Sequence, residues 1–93
     1  MVRYKNLEGH SGVIAYEIGP DLIKVQFTGG DVYLYNYKVT GRRNVDHMKS
    51  LAVRGRGLST FISTTVKDRY AFKSFSPPNG YEPNGRGPKP DKR

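Results

Sequence analysis

Arginines, glycines and hydroxyl residues follow one another in Arg54–Thr60, which reads RGRGLST. Arginine carries forked N–H donors that fit phosphate oxygens, and glycine lets a phosphate come close to the backbone. A helix beginning near Leu58 would add unpaired N–H groups and the positive end of its dipole, while Ser59 and Thr60 would add hydroxyl donors. The stretch therefore predicts a phosphate-binding site.

A purely structural interpretation of the same stretch is also open. Gly55 would end one helix, Gly57 would permit a tight turn and Ser59 would cap the next helix, with both arginines solvated.

Positive charge is concentrated in the middle of the chain. The 93 residues carry a net charge of +8, and residues 38–73 alone hold nine lysines and arginines against two aspartates. Such a block attracts polyanions, so RNA or DNA is the first partner to consider, although a solvated helical surface would look the same. The predicted phosphate-binding residues are Arg42, Arg43, Lys49, Arg54, Arg56, Ser59, Thr60 and Lys67.

Other residues argue against an enzyme. His10 and His47 have no carboxylate or second histidine at metal-ligand spacing, and the chain has no cysteine. The hydroxyl residues at 59–65 lack a Gly-x-Ser-x-Gly elbow and a positioned base. We therefore expect no catalytic residue, no metal and no cofactor. The start lacks the apolar run of a signal peptide, which favours a cytoplasmic protein without a membrane partner.

The N-terminal half is typical of β-strands. Residues 12–18 are rich in β-formers, residues 22–28 alternate apolar and polar side chains, and residues 31–37 place tyrosines at alternate positions. Gly19–Asp21 and Gly29–Gly30 supply the turns. The pattern predicts a three-stranded antiparallel meander.

Two amphipathic helices are predicted to cover one face of that sheet. In residues 42–53, Val45, Met48, Leu51 and Ala52 share one side and the helix ends near Gly55. A second apolar arc begins at Leu58 and also contains Arg69, so either this helix ends before Arg69 or the aliphatic stem of the arginine packs. The expected fold is α+β with the order β-β-β-α-α.

The turn at the double glycine decides which way Tyr33 and Tyr35 face, because a slip of one residue inverts a strand. A two-residue loop would expose them, whereas a three-residue loop, formed by a type I turn with Gly30 left-handed, would bury them. We favour burial because tyrosine rings remove more area from water than Val32 and Leu34 would. The predicted core residues are Ile23, Val25, Phe27, Tyr33, Tyr35, Met48, Leu51, Phe61 and Ile62.

The predicted domain covers residues 11–73. Residues 1–10 are interpreted as an N-terminal extension. Residues 74–93 are interpreted as a disordered, basic tail, since from Ser76 onward eight of 18 residues are proline or glycine.

Several short motifs resemble the KTSC domain, a small domain named after the C-terminal region of some lysyl-tRNA synthetases. They are Ser11–Ile14, the run from Leu22 to the Tyr33-Leu34-Tyr35 motif, Met48–Ala52 and Phe61–Tyr70. The resemblance implies a compact α+β module for which RNA binding is suggested. The chain has residues 37–41, YKVTG, where that family usually opens the helix with Val-Pro, and it adds the proline-rich tail.

The sequence thus predicts a small non-enzymatic module that contacts RNA, or DNA, phosphates through a basic helical face. The alternative is a protein-interaction module, monomeric or weakly dimeric, that uses the tail or an open apolar strip formed by Val13, Ala15, Val32 and Leu34.

Overall fold

The chain forms an antiparallel sheet in which the strands lie side by side in sequence order, with helices packed on one face. The computed structural model describes residues 1–75, and residues 76–93, which hold most of the predicted tail, lie outside the described residues. The α+β class and the antiparallel sheet are confirmed, but the predicted number of three strands is wrong because the sheet has five. The elements are β1 (Val2–Arg3), β2 (Val13–Ile18), β3 (Leu22–Phe27), β4 (Asp31–Asn36), α1 (Tyr37–Thr40), α2 (Arg42–Arg54), α3 (Leu58–Phe61), a π-helical turn (Ile62–Val66) and β5 (Phe72–Phe75).

The hairpin between β3 and β4 has the three-residue loop that buries the tyrosines. The Gly30 N–H donates to the Phe27 carbonyl at 2.9 Å, and β3 and β4 pair in the register that places Val25 opposite Tyr33. Tyr35 is fully buried and Tyr33 is half-buried. The turn differs in type from the prediction, since the positive φ of 99° at Gly29, its third residue, is the geometry of a type II turn.

A β-bulge in β2 changes the face of one predicted surface residue. Val13 pairs with Phe27 but Ala15 pairs with Gln26, so β2 holds one extra residue at this point. Val13 consequently points into the core, where it is 1% exposed, and not onto the open face where the alternation predicts it. Ala15 keeps the outward orientation.

Both edge strands come from segments that were not predicted to be strands. β1 pairs with β2, and the next residue, Tyr4, donates its N–H to the Ile14 carbonyl at 2.9 Å and is buried. Residues 1–10, interpreted as an extension, therefore contribute to the sheet and to the core. β5 pairs with β4 and carries the folded region to Phe75, past the predicted boundary at residue 73.

The helices cover the inner face of the sheet. α2 ends one residue later than predicted, and α1 is a short additional helix whose Asn36 cap accepts the Val39 N–H at 2.9 Å. The buried core consists of Tyr4, Val13, Ile23, Val25, Tyr35, Val45, Met48, Leu51, Ala52, Leu58, Ile62 and Val66. The other predicted core residues, Phe27, Tyr33 and Phe61, are partly buried and pack against it.

The second predicted helix ends before Arg69, and its last turn is π-helical. The Lys67 N–H donates to the Ile62 carbonyl, five residues back, at 2.6 Å. The Thr60 carbonyl accepts the hydroxyls of Ser63 at 3.2 Å and Thr64 at 2.7 Å. Hydroxyl donors compete with backbone N–H groups for a helical carbonyl, which favours the wider turn.

Gly55 and Gly9 allow a matched test of backbone packing. Both have φ of +84°, but a Cβ at Gly55 would lie 2.7 Å from the Lys5 Cβ, whereas a Cβ at Gly9 would meet nothing within 4 Å. We predict that Gly9→Ala lowers the free energy of unfolding by about 1 kcal/mol, the usual left-handed penalty. Gly55→Ala should lose about 2 kcal/mol or more because the chain must also shift. Urea unfolding measures both, and equal losses would contradict the packing of residues 1–10 against α2.

Candidate nucleic-acid interface

The outer side of α2 presents two arginines without partners in residues 1–75. Val45, Met48 and Ala52 turn one side of the helix into the core. Arg43 and Arg54 lie on the other side, are exposed, and form no ion pair or hydrogen bond with the described part of the chain. At 1.5 Å per residue they are about 16 Å apart along the helix axis. These two charges are free to meet phosphates.

Arg42 and Lys49, also predicted to bind phosphate, lie on the flank of α2 beside α1. The Arg42 Nε is 3.7 Å from Asp46 Oδ2, and its guanidinium is 5.4 Å from the centroid of the Tyr37 ring. Lys49 is only 18% exposed and donates to the Pro20 carbonyl at 3.0 Å. Lys49 is therefore a structural residue, whereas Arg42 remains open to solvent.

Asp46 is the acceptor that organises this flank. The Tyr37 hydroxyl donates to its Oδ1 at 2.6 Å, and this hydrogen bond raises the pKa of Tyr37. Asp46 also attracts Arg42 and Lys49, so it lowers the positive potential on this side of α2.

The two glycines of the turn between α2 and α3 have the roles expected if residues 54–60 serve only to end one helix and begin the next. Gly55 has φ of 84° and donates its N–H to the Leu51 carbonyl at 2.9 Å, which closes α2. Gly57, with φ of 81°, precedes α3, and no side chain caps that helix. Ser59 is therefore not the cap that the sequence allows.

A small cavity of about 70 Å³ opens beside this turn. Arg56, Ser59 and Thr60 line one side, and the N-terminal segment supplies Tyr4 and Glu8 on the other. The Arg56 Nη2 is 3.4 Å from Glu8 Oε2, and both side chains are about half exposed. The predicted phosphate ligands are thus brought together, but one of them already has a carboxylate partner.

Sequence reasoning missed the N-terminal wall of this cavity. The Tyr4 hydroxyl accepts the Leu58 N–H at 3.3 Å, which satisfies one donor at the start of α3. The available signal was the alternation of Val2 and Tyr4, which is too short to stand out from an extension.

Lys67 lies apart from the other predicted phosphate ligands, at the end of the π-helical turn. Its backbone has φ of 48° and ψ of −118°, and the Arg69 N–H donates to the Val66 carbonyl at 2.9 Å across it. This is a β-turn with Lys67 in a position that favours glycine, and a side chain there costs about 1–3 kcal/mol. Such strain is often found at functional sites, which makes this turn a candidate functional segment.

This turn borders a larger opening, which we call the tyrosine cavity. It has a volume of about 350 Å³, and Phe27, Tyr33, Tyr35 and Tyr70 line it together with polar residues that include Lys67. The rings of Tyr33 and Tyr35 are parallel within 15°, and Tyr70 stands at 78° to Tyr33 with the ring centroids 4.7 Å apart. The cavity therefore has aromatic walls in two orientations.

Three polar groups accompany these walls. The Tyr35 hydroxyl has no hydrogen-bond partner in residues 1–75 although the residue is 1% exposed, and burial raises its pKa far above the usual value. Lys73 holds its Nζ 5.3 Å from the Tyr33 centroid, and its side-chain interaction with Tyr33 raises the lysine pKa. Asp31 lines the cavity, and its negative charge also raises the pKa of Lys73.

The outer face of the sheet keeps part of the predicted apolar strip. Ala15, Val32 and Leu34 lie there, Val13 does not, and β5 adds Phe72, which is 62% exposed and pairs with Leu34.

No cluster of three or more histidine, aspartate or glutamate side chains in residues 1–75 could hold a metal ion. No helix in that part of the chain has the length and apolarity to cross a bilayer. Comparisons of the chain with protein-family models, with curated proteins and with solved structures found no match. The resemblance to the KTSC domain therefore stays a prediction.

Lys67 provides a test of whether the turn stores strain. We predict that Lys67→Gly raises the free energy of unfolding by about 1 kcal/mol, because glycine accepts this backbone geometry without penalty. Lys67→Ala removes the same charge but keeps a Cβ, so its stability should stay within about 0.5 kcal/mol of the parent. Thermal or urea unfolding compares the two variants, and a glycine variant no more stable than the alanine variant would refute the strain.

Proposed function

We propose that the protein is a non-enzymatic module that binds RNA, or less tightly DNA, through phosphate contacts on the outer side of α2 and the adjoining turn. The observation that carries the proposal is the pair of exposed arginines, Arg43 and Arg54, without partners in residues 1–75. Guanidinium groups without internal partners bind phosphate without first breaking an existing contact.

The spacing of these arginines suits a nucleic-acid backbone. Their separation of about 16 Å along the helix axis covers about five nucleotides at 3.4 Å per nucleotide. Arg42, on the flank of α2, and Arg56, beyond its end, extend the row. Contacts of this kind position a strand and carry no base specificity by themselves.

Arg56 joins this surface by exchanging its contact with the Glu8 carboxylate for a contact with a phosphate. Its contact with Glu8 is 3.4 Å long and half exposed, and such surface pairs contribute only about 0–1 kcal/mol. A backbone phosphate offers the guanidinium a singly charged acceptor of equal charge, so it can replace the carboxylate in the same place. Glu8 therefore acts as a competitor for the phosphate, and it sets how readily the small cavity accepts an anion.

The proposed phosphate contacts predict that RNA binding depends on salt concentration. RNA affinity should fall steeply between 50 and 200 mM salt, and Arg43→Gln with Arg54→Gln should lower the salt slope by about 1 per arginine. The control is Arg3→Gln with Lys24→Gln, which removes the same charge from the other side of the sheet. Fluorescence anisotropy with labelled single- and double-stranded RNA measures both, and equal effects of the two double variants would contradict binding through α2.

The second prediction concerns Glu8. We predict that Glu8→Gln raises RNA affinity several-fold, since it frees Arg56, and changes the free energy of unfolding by less than about 1 kcal/mol. Glu17→Gln makes the same charge change on an exposed β2 residue and should raise affinity less. Equal gains from the two variants would mean that only net charge matters and that the small cavity takes no part.

The alternative is a protein-interaction module that uses the outer face of the sheet. Phe72 favours it, because a side chain of this size that is 62% exposed beside Leu34 extends the apolar strip. Chemical shifts on adding RNA separate the two proposals. Changes on α2 support RNA binding, and a chain that binds no RNA at low salt leaves the sheet face as the better candidate.

A further inference from the structure

The tyrosine cavity contains a buried polar group with nothing to bond to in residues 1–75. Tyr35 lines it and is shielded from solvent, and its hydroxyl neither donates nor accepts a hydrogen bond in residues 1–75. Buried polar groups are almost always paired with protein, water or a ligand, because an unpaired one costs about 1–3 kcal/mol. The cavity therefore suits a ligand that can hydrogen-bond to this hydroxyl.

The walls indicate a flat ligand. Tyr33 and Tyr35 present parallel rings, Tyr70 stands across them, and the volume of about 350 Å³ lies at the lower end of the range for small-molecule pockets. Aromatic surfaces of this kind stack planar rings, and the size suits one ring system with a substituent and not a longer ligand.

Two lysines and two aspartates stand in or beside the cavity, so its charges suit a ligand that carries both an anionic group and N–H donors. The Lys73 ammonium already lies over the Tyr33 ring, and Lys67 stands at the cavity with its side chain exposed. A quaternary ammonium group, the other usual occupant of an aromatic cage, would meet both charges. A planar ring that carries a phosphate fits these groups, and that combination is a nucleotide.

Asp31 narrows the choice among the bases. It lies at the start of β4 on the same face as Tyr33 and Tyr35, because the side chains of a strand alternate. A carboxylate accepts two parallel N–H donors, and among the four RNA bases guanine alone offers two adjacent ones on its pairing edge. Adenine and cytosine offer one amino group, and uracil one imide.

We propose that the tyrosine cavity binds one unpaired guanine base of RNA, with the base stacked on one of the Tyr33 and Tyr70 rings and edge-on to the other, Asp31 and the Tyr35 hydroxyl bonding its edge, and Lys67 contacting its phosphate. This proposal rests on the RNA binding proposed above. It adds a specific contact to a surface that otherwise recognises only phosphates, since single-stranded bases are usually recognised by stacking and edge contacts.

The test titrates the full isotope-labelled chain with guanosine, adenosine, cytidine and uridine monophosphates and follows amide shifts. Guanosine monophosphate should bind most tightly and shift residues 31–35 and 62–70. Tyr35→Phe, which removes only the hydroxyl, should weaken it about fivefold, and Tyr70→Leu about fivefold or more. Tyr37→Phe, which removes a hydroxyl outside the cavity, should leave the affinity unchanged.

Three results would overturn the proposal. The first is no amide shift at these residues, and the second is equal shifts with all four nucleotides. The third is an affinity for guanosine monophosphate that neither Tyr35→Phe nor Tyr70→Leu lowers, when both variants unfold at the same urea concentration as the parent. Oligouridine separates this failure from failure of the proposed function. If oligouridine binds and depends on Arg43 and Arg54 while guanosine monophosphate does not bind, the phosphate surface stands and the guanine site falls. If no RNA binds at low salt, both fall.

Discussion

The register of the β3–β4 hairpin is the constraint on which the rest of the structure depends. The loop of three residues places Val25 opposite Tyr33 and turns the tyrosines toward the helices. A loop shorter by one residue would send them to the opposite face and leave smaller side chains for the helices to cover. This one choice of register sets which side chains of β4 face the helices. It therefore determines the burial of Tyr35, the aromatic walls of the tyrosine cavity and the side of the sheet on which Asp31 lies.

In the proposed function, the two candidate surfaces would play different parts in nucleic-acid binding. The outer side of α2 carries charge without a shaped pocket, since Arg43 and Arg54 are exposed and have no partner in residues 1–75 that would orient a ligand. The tyrosine cavity carries shape with little net charge, because Lys67 and Lys73 are balanced by Asp31 and Asp68 in and around it. In that proposal, phosphate contacts would supply the affinity, and the cavity would supply the shape recognition that phosphate contacts alone lack.

The sequence predicts the features that arise from local patterns and misses those that depend on distant partners. The alternation in residues 22–28 and the apolar arc of α2 locate these elements to within a residue or two. β1 and β5 are edge strands with short patterns, and each becomes recognisable only through the strand that it pairs with. The bulge at Val13 is likewise set by packing, because Val13–Tyr16 is a continuous apolar run that does not show where the faces of β2 switch.

The sequence predicts the candidate site to a similar extent. Arg54, Arg56, Ser59 and Thr60 are close in sequence, so their residue types are enough to predict a shared turn. Glu8 is distant in sequence and reaches Arg56 only because β1 places the N-terminal segment beside that turn. The Tyr35 hydroxyl has no hydrogen-bond partner in residues 1–75, and no sequence pattern predicts this, because it depends on which side chains the fold places around the ring. The π-helical turn depends on hydroxyl competition at the Thr60 carbonyl, which a helical periodicity does not register.

β5 has a consequence for the order in which the molecule assembles. The first four strands pair with their neighbours in sequence, whereas β5 must return to β4 after all the helices have been traversed. Closing that long loop costs more entropy than closing a hairpin, and a short edge strand recovers little of it. β5 is therefore expected to detach at a lower free energy than the hairpin strands β3 and β4. Because Lys73 travels with it, each detachment removes the ammonium group from the Tyr33 ring that lines the tyrosine cavity.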